Sequence, residues 1–195
     1  MNWETKIFQN HSNSSFEKLS LEIFRFQAKN NHIYKTYLRY LGVNPDEVKQ
    51  INQIPYLPIE FFKQENVVCK PNNIDTVFTS SGTSGMQSKH IVHDISIYEK
   101  SFTSGFEHFY GNIKDYTVLA LLPSYLERSG SSLIYMCEKL IKHSGKKESG
   151  FYLNDHKELN NLLLELELQN RKTLLIGVSF ALLDFVEKHP VGFKH

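Results

Sequence analysis

The sequence has only two cysteines in 195 residues, Cys69 and Cys137. Two cysteines form neither a disulfide framework nor a zinc knuckle, which both need more thiols at set spacings. Cys69 lies in a strand-like run and Cys137 on the apolar side of a predicted helix, so we expect both to pack as small apolar residues. The sequence therefore predicts a reduced protein with no metal site.

The chain also lacks a long hydrophobic run. Its longest aliphatic runs are short, such as Val118–Leu122, whereas a membrane-spanning helix needs about 20 apolar residues. Its first residues, Met1–Lys6, are too polar for the apolar region of a secretion signal. We therefore expect a cytoplasmic protein with no membrane span.

The sequence also has no large excess of positive or negative charge. The net charge is +1, and no basic stretch is stronger than Lys146-Lys147. A nucleic-acid-binding domain would need a basic face, so the sequence argues against a nucleic-acid partner. The hydrophobic content of 41% and aromatic content of 13% are typical of a globular protein.

The first 53 residues show helical patterns. Ser14 and Glu17 have the spacing of a capping box at the start of a helix that we expect to run to about residue 30. A second helix is predicted over 33–41, followed by a glycine suited to a left-handed end. Asn44 and Pro45 indicate a third helix start. Residues 1–53 are thus predicted to be a helical segment packed on a core.

The following segment is predicted to be extended. The two prolines within Ile54–Phe62 disfavour a regular helix, yet the segment is apolar enough to be packed. Strand-like runs follow at Val67–Cys69, Thr76–Phe78 and Lys89–Asp94.

From residue 117 onward the pattern repeats strand, turn and helix. Strands are predicted at Thr117–Leu122, Phe151–Leu153 and Thr173–Val178, and helices with apolar periodicity follow each of them. The unbroken apolar character of the first strand is typical of burial on both faces of a sheet. The predicted fold class is α/β, with an N-terminal helical layer and a largely parallel sheet flanked by helices.

One glycine- and hydroxyl-rich loop lies between two predicted strands, at Ser80–Lys89. Such a composition suits a solvent-exposed turn, but it also lets backbone N–H groups and hydroxyls converge on a phosphate. Neither a Walker A motif nor a dinucleotide fingerprint fits, because Met86 follows the last glycine and an extended run follows the loop. The candidate phosphate-binding residues are Ser80, Ser81, Gly82, Thr83, Ser84, Gly85 and Lys89.

A second group of candidates follows the other predicted strands. In open α/β sheets, ligands bind beyond the carboxyl ends of the strands. The loops Ser80–Lys89, Pro123–Gly130 and Gly177–Ser179, each after a strand of the predicted sheet, are therefore expected to meet there. Ordinary surface pairing, helix capping and packing are alternative roles for these residues. The candidate substrate-pocket residues are Tyr125, Arg128, Ser131, Ser132 and Val178.

Three stretches carry a resemblance to a known superfamily. Ser81–Gly85 resembles the Ser-Gly-Thr-Thr-Gly phosphate-binding signature of adenylate-forming enzymes. Ile54–Phe62 looks like the segment that precedes this loop in the branch of phenylacetate–CoA ligases and LuxE proteins. Leu121–Leu133 is similar to LuxE-type acyl-protein synthetases, the fatty-acid ligases of luminous bacteria.

The resemblance implies an activity. It implies that ATP and Mg²⁺ are used to convert a carboxylic acid, of the fatty-acid class, into an acyl-adenylate, whose acyl group passes to a protein thiol. It also implies that residues 54–195 are an incomplete adenylation-type α/β domain. An acyl-CoA ligase and a non-catalytic nucleotide-binding module are the alternatives.

The sequence departs from the superfamily pattern in two respects. Gln87 and Ser88 stand where the superfamily has Pro-Lys, so Lys89 is one place late and the resemblance does not assign it the role of the phosphate-binding lysine. The family's remaining catalytic groups are expected downstream of His195. On this basis we expect the chain to be an N-terminal portion that does not turn over substrate by itself.

Overall fold

The computed structural model describes residues 3–9, 12–70, 73–80, 86–122, 130–153, 155–190 and 192. Backbone contacts divide the chain into two compact units, residues 1–98 and 99–195. The division at residues 53 and 54 that the sequence suggests stays a prediction.

The first unit begins with helices and ends with a β-hairpin. Its elements are α1 (Trp3–Phe8), α2 (Asn13–Asn30), α3 (His32–Tyr40), a 3₁₀ turn (Ile51–Gln53), a short α4 (Phe61–Gln64), β1 (Thr76–Thr79) and β2 (Lys89–Val92). The two long predicted helices are confirmed. The end of α3 is also as expected, because Gly42 has a φ of 66°.

The start of α2 lies slightly earlier than the spacing of Ser14 and Glu17 predicts. Ser12 is the N-cap, and its side chain accepts a hydrogen bond from the N–H of Ser15 at 3.2 Å. The hydroxyl of Ser15 accepts the N–H of Ser12 in return, also at 3.2 Å. A serine thus takes the place that glutamate usually has in this reciprocal arrangement.

No helix begins at Asn44. Its side-chain oxygen instead accepts a hydrogen bond from the N–H of Asp46, and its carbonyl accepts the N–H of Glu47, both at 3.1 Å. These bonds close a turn, which is the local structure in which asparagine competes with a helix. The predicted third helix start is therefore wrong, although the side chain of Asn44 does accept a hydrogen bond from the backbone two residues later.

The connector after the 3₁₀ turn has no helix or strand over residues 54–58, but a turn follows at residues 59–60 and α4 begins at Phe61. The prediction of an extended segment over Ile54–Phe62 is therefore wrong at its end. The connector is packed on one side only. Ile54 and Leu57 pack against the helical core, whereas Tyr56 and Ile59 are 75% and 68% exposed. The core consists of Phe24, Ala28, Tyr34, Leu38 and Val48. The predicted strand at residues 67–69 is wrong, because this stretch forms no strand.

The hairpin places the glycine-rich loop between two antiparallel strands. β1 pairs with β2 in the register Thr76↔Val92 to Thr79↔Lys89. Among the described residues these strands form a two-stranded sheet of their own. The prediction that the strand before the loop belongs to the same sheet as the later strands is wrong.

The second unit is a parallel sheet with helices. The helix α5 (Ile95–Tyr110) begins just before the boundary of this unit. The elements that follow are a 3₁₀ turn (Ile113–Asp115), β3 (Thr117–Leu121), α6 (Ser132–Ser144), β4 (Gly150–Phe151), α7 (His156–Leu168), β5 (Thr173–Gly177) and α8 (Ser179–Lys188). The strand order is β4-β3-β5, and both neighbours of β3 run parallel to it. The α/β fold class is confirmed.

Every residue of β3 is buried because helices cover both faces of the sheet. Leu119 and Leu121 lie in one cluster with residues of α7 and α8. Val118 and Ala120 lie in clusters with residues of α6, including the fully buried Cys137. Burial on both sides explains why the β3 sequence is uniformly apolar instead of alternating.

Candidate functional site

The described ends of the glycine-rich loop are held together. The N–H of Ser80 donates to the carbonyl of Ser88 at 3.1 Å, and the N–H of Ser88 donates to Oγ of Ser80 at 3.0 Å. These two bonds extend the hairpin by one step beyond the Thr79↔Lys89 pair. The loop therefore leaves and re-enters the sheet at a closed neck.

Two candidate phosphate ligands stand at this neck. Oγ of Ser80 accepts the bond from Ser88, while its O–H remains a donor that can rotate toward an anion. Lys89 is exposed at the first position of β2 and lies opposite Thr79 in the pairing. The other candidates, residues 81–85, lie outside the described residues, and their role stays a prediction.

The base of the hairpin is tied to the start of α5. The N–H of Asp75 donates to the carbonyl of Val92, and its carboxylate accepts the N–H of Ile95, each at 3.0 Å. Asp94 caps the same helix by accepting the N–H of Ser96 at 3.0 Å. The hairpin is thus fixed at both ends of its described strands, so the neck has a rigid support.

In the second unit, the helices that follow two neighbouring strands lie on opposite faces of the sheet. Leu121 at the end of β3 is paired with Gly177 at the end of β5. The helix after β3, α6, packs on one face of the sheet, whereas α8 after β5 packs on the other. In α/β proteins, ligands bind beyond the carboxyl ends of strands whose following helices diverge in this way.

The structure gives three of the substrate-pocket candidates positions at this edge. Ser131 is the N-cap of α6, where its Oγ accepts the N–H of Ile134 at 3.4 Å, and Ser132 is the first helical residue. Val178 packs against the sheet and precedes α8 directly. Helix capping by Ser131 and packing by Val178 are thus the observed contacts. Tyr125 and Arg128 lie outside the described residues, and the pocket assignment stays a prediction.

Gly177 has a role at this edge that the sequence interpretation missed. A Cβ atom on Gly177 would lie 2.8 Å from Cγ of Leu182 and 3.0 Å from the carbonyl oxygen of Leu121. Only glycine therefore lets α8 approach the end of β5 this closely. The available signal was a glycine at the point where a predicted strand passes into a predicted helix.

Among the described carboxyl groups, Glu148 in the second unit has the strongest pKa shift. Glu148 pairs with Arg171 through two hydrogen bonds of 2.8 and 3.0 Å, and this contact lowers the pKa of Glu148 to about 2. Arg171 also donates to the hydroxyl of the buried Thr117 at 3.0 Å. The pair fixes the turn after α6 against the turn before β5, which is a structural role.

The part of the chain that the structure describes contains neither a metal-binding cluster nor a membrane-spanning helix. No group of three or more His, Cys, Asp or Glu side chains there could hold a metal ion. No helix there has both the length and the apolar character required to cross a bilayer.

An α/β chain with a hydroxyl- and glycine-rich hairpin loop is of a class that can bind anions through its backbone. Comparison with known families identifies the class more closely. The profile of the family described as acyl-protein synthetase, LuxE, matches residues 6–115, which is more than half of the chain. The chain belongs to this LuxE family.

A curated relative supports the same assignment. The chain is 35% identical over 74 residues to the long-chain-fatty-acid–luciferin-component ligase of Photorhabdus luminescens, a match that covers 37% of this chain and 63% of that protein. The chain thus spans less than two thirds of the length of this relative. No solved structure matches the chain. The family match includes the hairpin and its loop but ends before β3.

Proposed function

We propose that the protein activates a fatty acid with ATP and passes the acyl group to a thiol of a protein. The observation that carries this proposal is the closed neck at Ser80 and Ser88, which supports a loop of phosphate-binding composition within the segment matched by the LuxE family. The name of the Photorhabdus relative, a long-chain-fatty-acid ligase, supports a fatty acid as the substrate.

The proposed reaction brings two anions together. A carboxylate oxygen of the acid attacks the α-phosphorus of ATP, the bond to the bridging oxygen of the β-phosphate breaks, and pyrophosphate leaves with that electron pair. A thiolate then attacks the acyl carbon, and AMP leaves. Donors that are already oriented toward the phosphate oxygens favour the first step, because each bond to a charged group contributes about 1.5–3 kcal/mol.

Within the described residues, the O–H of Ser80 and the ammonium group of Lys89 are the candidate phosphate ligands at the neck. Mg²⁺ would accompany ATP and shield the charge of its phosphates. No described cluster of carboxylates or imidazoles fits that ion, so we assign it no ligand from this part of the chain.

The test is acid-dependent exchange of labelled pyrophosphate into ATP, measured with the native protein and fatty acids of increasing chain length. We expect exchange only when an acid is present. Lys89→Ala should raise the KM for ATP about two- to fivefold, because an exposed charge contributes little. Lys100→Ala, which removes an exposed lysine of α5, is the matched control and should leave that KM unchanged.

The acceptor is tested separately with a radiolabelled acid. Label that stays on protein after denaturation and is released by hydroxylamine supports a thioester on a protein thiol. Label recovered as acyl-CoA would instead support a CoA ligase. ATP binding without exchange for any acid would contradict the proposal and support a nucleotide-binding module without catalysis.

A further inference from the structure

The outer face of α8 is apolar although it is exposed. Phe180, Leu183 and Val186 are 67%, 64% and 58% exposed. On the inner side of the same helix, Ala181 and Phe185 are buried in a core cluster with residues of β3. A helix that is apolar on both sides is normally covered on both sides. The composition of α8 therefore predicts a partner for its outer face.

The three exposed side chains form a stripe that is symmetric about its middle residue. Phe180 lies three residues before Leu183, and Val186 lies three residues after it. At about 100° per helical residue, the two outer side chains lie about 60° to either side of the central one. A two-fold axis at Leu183 would therefore place Phe180 of one copy against Val186 of a second copy. Such a self-complementary patch is what a symmetric dimer requires.

The same axis brings a negative charge to a helix N-terminus. Glu187 lies four residues after Leu183, and Ser179, the first residue of α8, lies four residues before it. Both Glu187 and Ser179 are exposed, and among the described residues Glu187 forms no ion pair. The N-cap, Val178, provides no side-chain hydrogen bond to the first turn. Because the N–H groups at the start of a helix attract negative charge, Glu187 of each copy complements the start of α8 in the other.

We propose that the stripe of Phe180, Leu183 and Val186 is the contact between two copies of this chain, which pair as antiparallel helices about a two-fold axis at Leu183. The apolar side chains supply the contact area, and Glu187 fixes the antiparallel direction. One short helix from each copy forms a small contact, so the dimer is weak and its population depends on protein concentration. This inference does not depend on the proposed activation reaction.

The proposal is tested by sedimentation velocity of the native protein over a wide range of concentration. We expect a monomer at low concentration and a dimer at high concentration. Leu183→Asp should weaken dimerisation at least about tenfold, because it places two like charges at the axis. Glu187→Gln should weaken it about three- to tenfold, because two equivalent charge contacts are lost. Leu168→Asp, which alters an exposed leucine of α7, is the matched control and should leave the dissociation constant unchanged.

Cysteine variants test the register in a Cys69→Ser background, in which the remaining native thiol, Cys137, is fully buried. On oxidation, Leu183→Cys should form a disulfide-linked dimer by itself. Phe180→Cys should instead link to Val186→Cys when the two variants are mixed.

Two results would overturn the proposal. One is a native protein that is monomeric at every concentration. The other is cross-linking that does not depend on the position of the cysteine. A monomer in which the thiol of Leu183→Cys reacts slowly with maleimide would assign the outer face of α8 to another part of the protein instead of a second copy.

Discussion

Oγ of Ser80 accepts a hydrogen bond from the main-chain N–H of Ser88 at 3.0 Å, across the neck of the glycine-rich loop. The main-chain N–H of Ser80 donates to the carbonyl of Ser88 at 3.1 Å. The side chain of Ser80 therefore continues the ladder of the hairpin where the next backbone pair would be. In the proposed function this bond holds the ends of the phosphate-binding loop together.

Ser80→Ala should loosen the neck. The loss of one hydrogen bond at an exposed position should lower the local opening free energy by about 1 kcal/mol, so the amide of Ser88 should exchange its hydrogen about fivefold faster. Hydrogen exchange monitored by NMR measures this rate directly. Ser80→Thr keeps the hydroxyl and should keep the protection.

Ser88→Ala is the matched control for this neck. Ser88 takes part in both neck bonds through its main chain, so the loss of its hydroxyl should leave the protection unchanged. If Ser80→Ala exchanged as slowly as the wild type, Oγ of Ser80 would not contribute to closing the loop.

Gly177→Ala should destabilise the second unit. The added Cβ would contact Leu182 at 2.8 Å and the backbone oxygen of Leu121 at 3.0 Å, so α8 must move away from the sheet. We expect a loss of about 1–3 kcal/mol in the free energy of unfolding, measured by urea denaturation.

Gly105→Ala gives the opposite expectation and serves as control. Gly105 lies inside α5, and a Cβ atom there would meet nothing within 4 Å. Because alanine favours a helix over glycine, this variant should be about 1 kcal/mol more stable. Destabilisation of both variants to the same extent would contradict the steric explanation for Gly177.

The pair of Glu148 and Arg171 should contribute to the acid sensitivity of the fold. Hydrogen bonding to Arg171 lowers the pKa of Glu148 from 4.5 to about 2 in the folded protein. As the pH falls, Glu148 therefore takes up a proton at a higher pH in the unfolded chain than in the folded protein. The stabilisation is therefore present above pH 4.5 and is lost as the pH falls toward 2.

Glu148→Gln should remove this part of the pH dependence. Urea denaturation at pH values across that window should show a shallower decline of stability for the variant than for the wild type. Glu187→Gln, which alters an exposed glutamate of α8, should keep the wild-type slope. Equal slopes for Glu148→Gln and the wild type would show that the ion pair does not carry the effect.

Neither cysteine should behave as a reactive nucleophile. Burial raises the pKa of Cys137 to about 11, and burial also raises the pKa of Cys69, whose thiol donates to Oε1 of Gln27 at 3.2 Å. At neutral pH both groups are thus mainly in the thiol form, which reacts slowly. Iodoacetamide labelling should modify Cys69 slowly and Cys137 only after unfolding in guanidinium chloride.

The Cys69→Ser variant separates the two thiols in this experiment. Native Cys69→Ser protein should take up almost no label, because its remaining thiol is fully buried in the cluster with Ala120 and Leu122. Rapid labelling of the folded variant would contradict the packing of α6 against β3.

The buried parallel sheet was largely predictable from the sequence. The apolar run at residues 117–122 has no alternation, which is the pattern that burial on both faces produces. Gly145 is the C-cap of α6 with a φ of 63°, a left-handed conformation for which glycine is the usual residue. Both features depend on the residues of the segment itself, so they can be predicted from the sequence alone.

Strand partners and helix caps were less predictable. β1 pairs with β2 instead of joining the parallel sheet, and the short apolar sequence of β1 suits either arrangement. Asn44 closes a turn where its side chain suited a helix cap equally well. In both cases the choice depends on distant contacts, whereas the local pattern is the same for both outcomes.

The candidate site was predictable in its position more than in its contacts. The order of residues Ser80–Gly85 between two strands pointed to the loop, but nothing in the sequence showed that Oγ of Ser80 is used at the neck. Ser131 was a candidate for the pocket, and the contact that the structure gives it is the cap of α6. Serine serves both purposes, so residue type alone does not separate them.

The position of β3 in the sheet has a consequence for synthesis of the protein. β3 is the central strand, and its second neighbour ends only at Gly177, more than fifty residues after Leu121. At a translation rate of about 5–20 residues per second, an apolar edge of β3 stays unpaired for roughly 3–11 s. During that time the nascent chain exposes an unpaired, apolar strand edge that can aggregate. We expect efficient production of the protein to depend on a ribosome-associated chaperone.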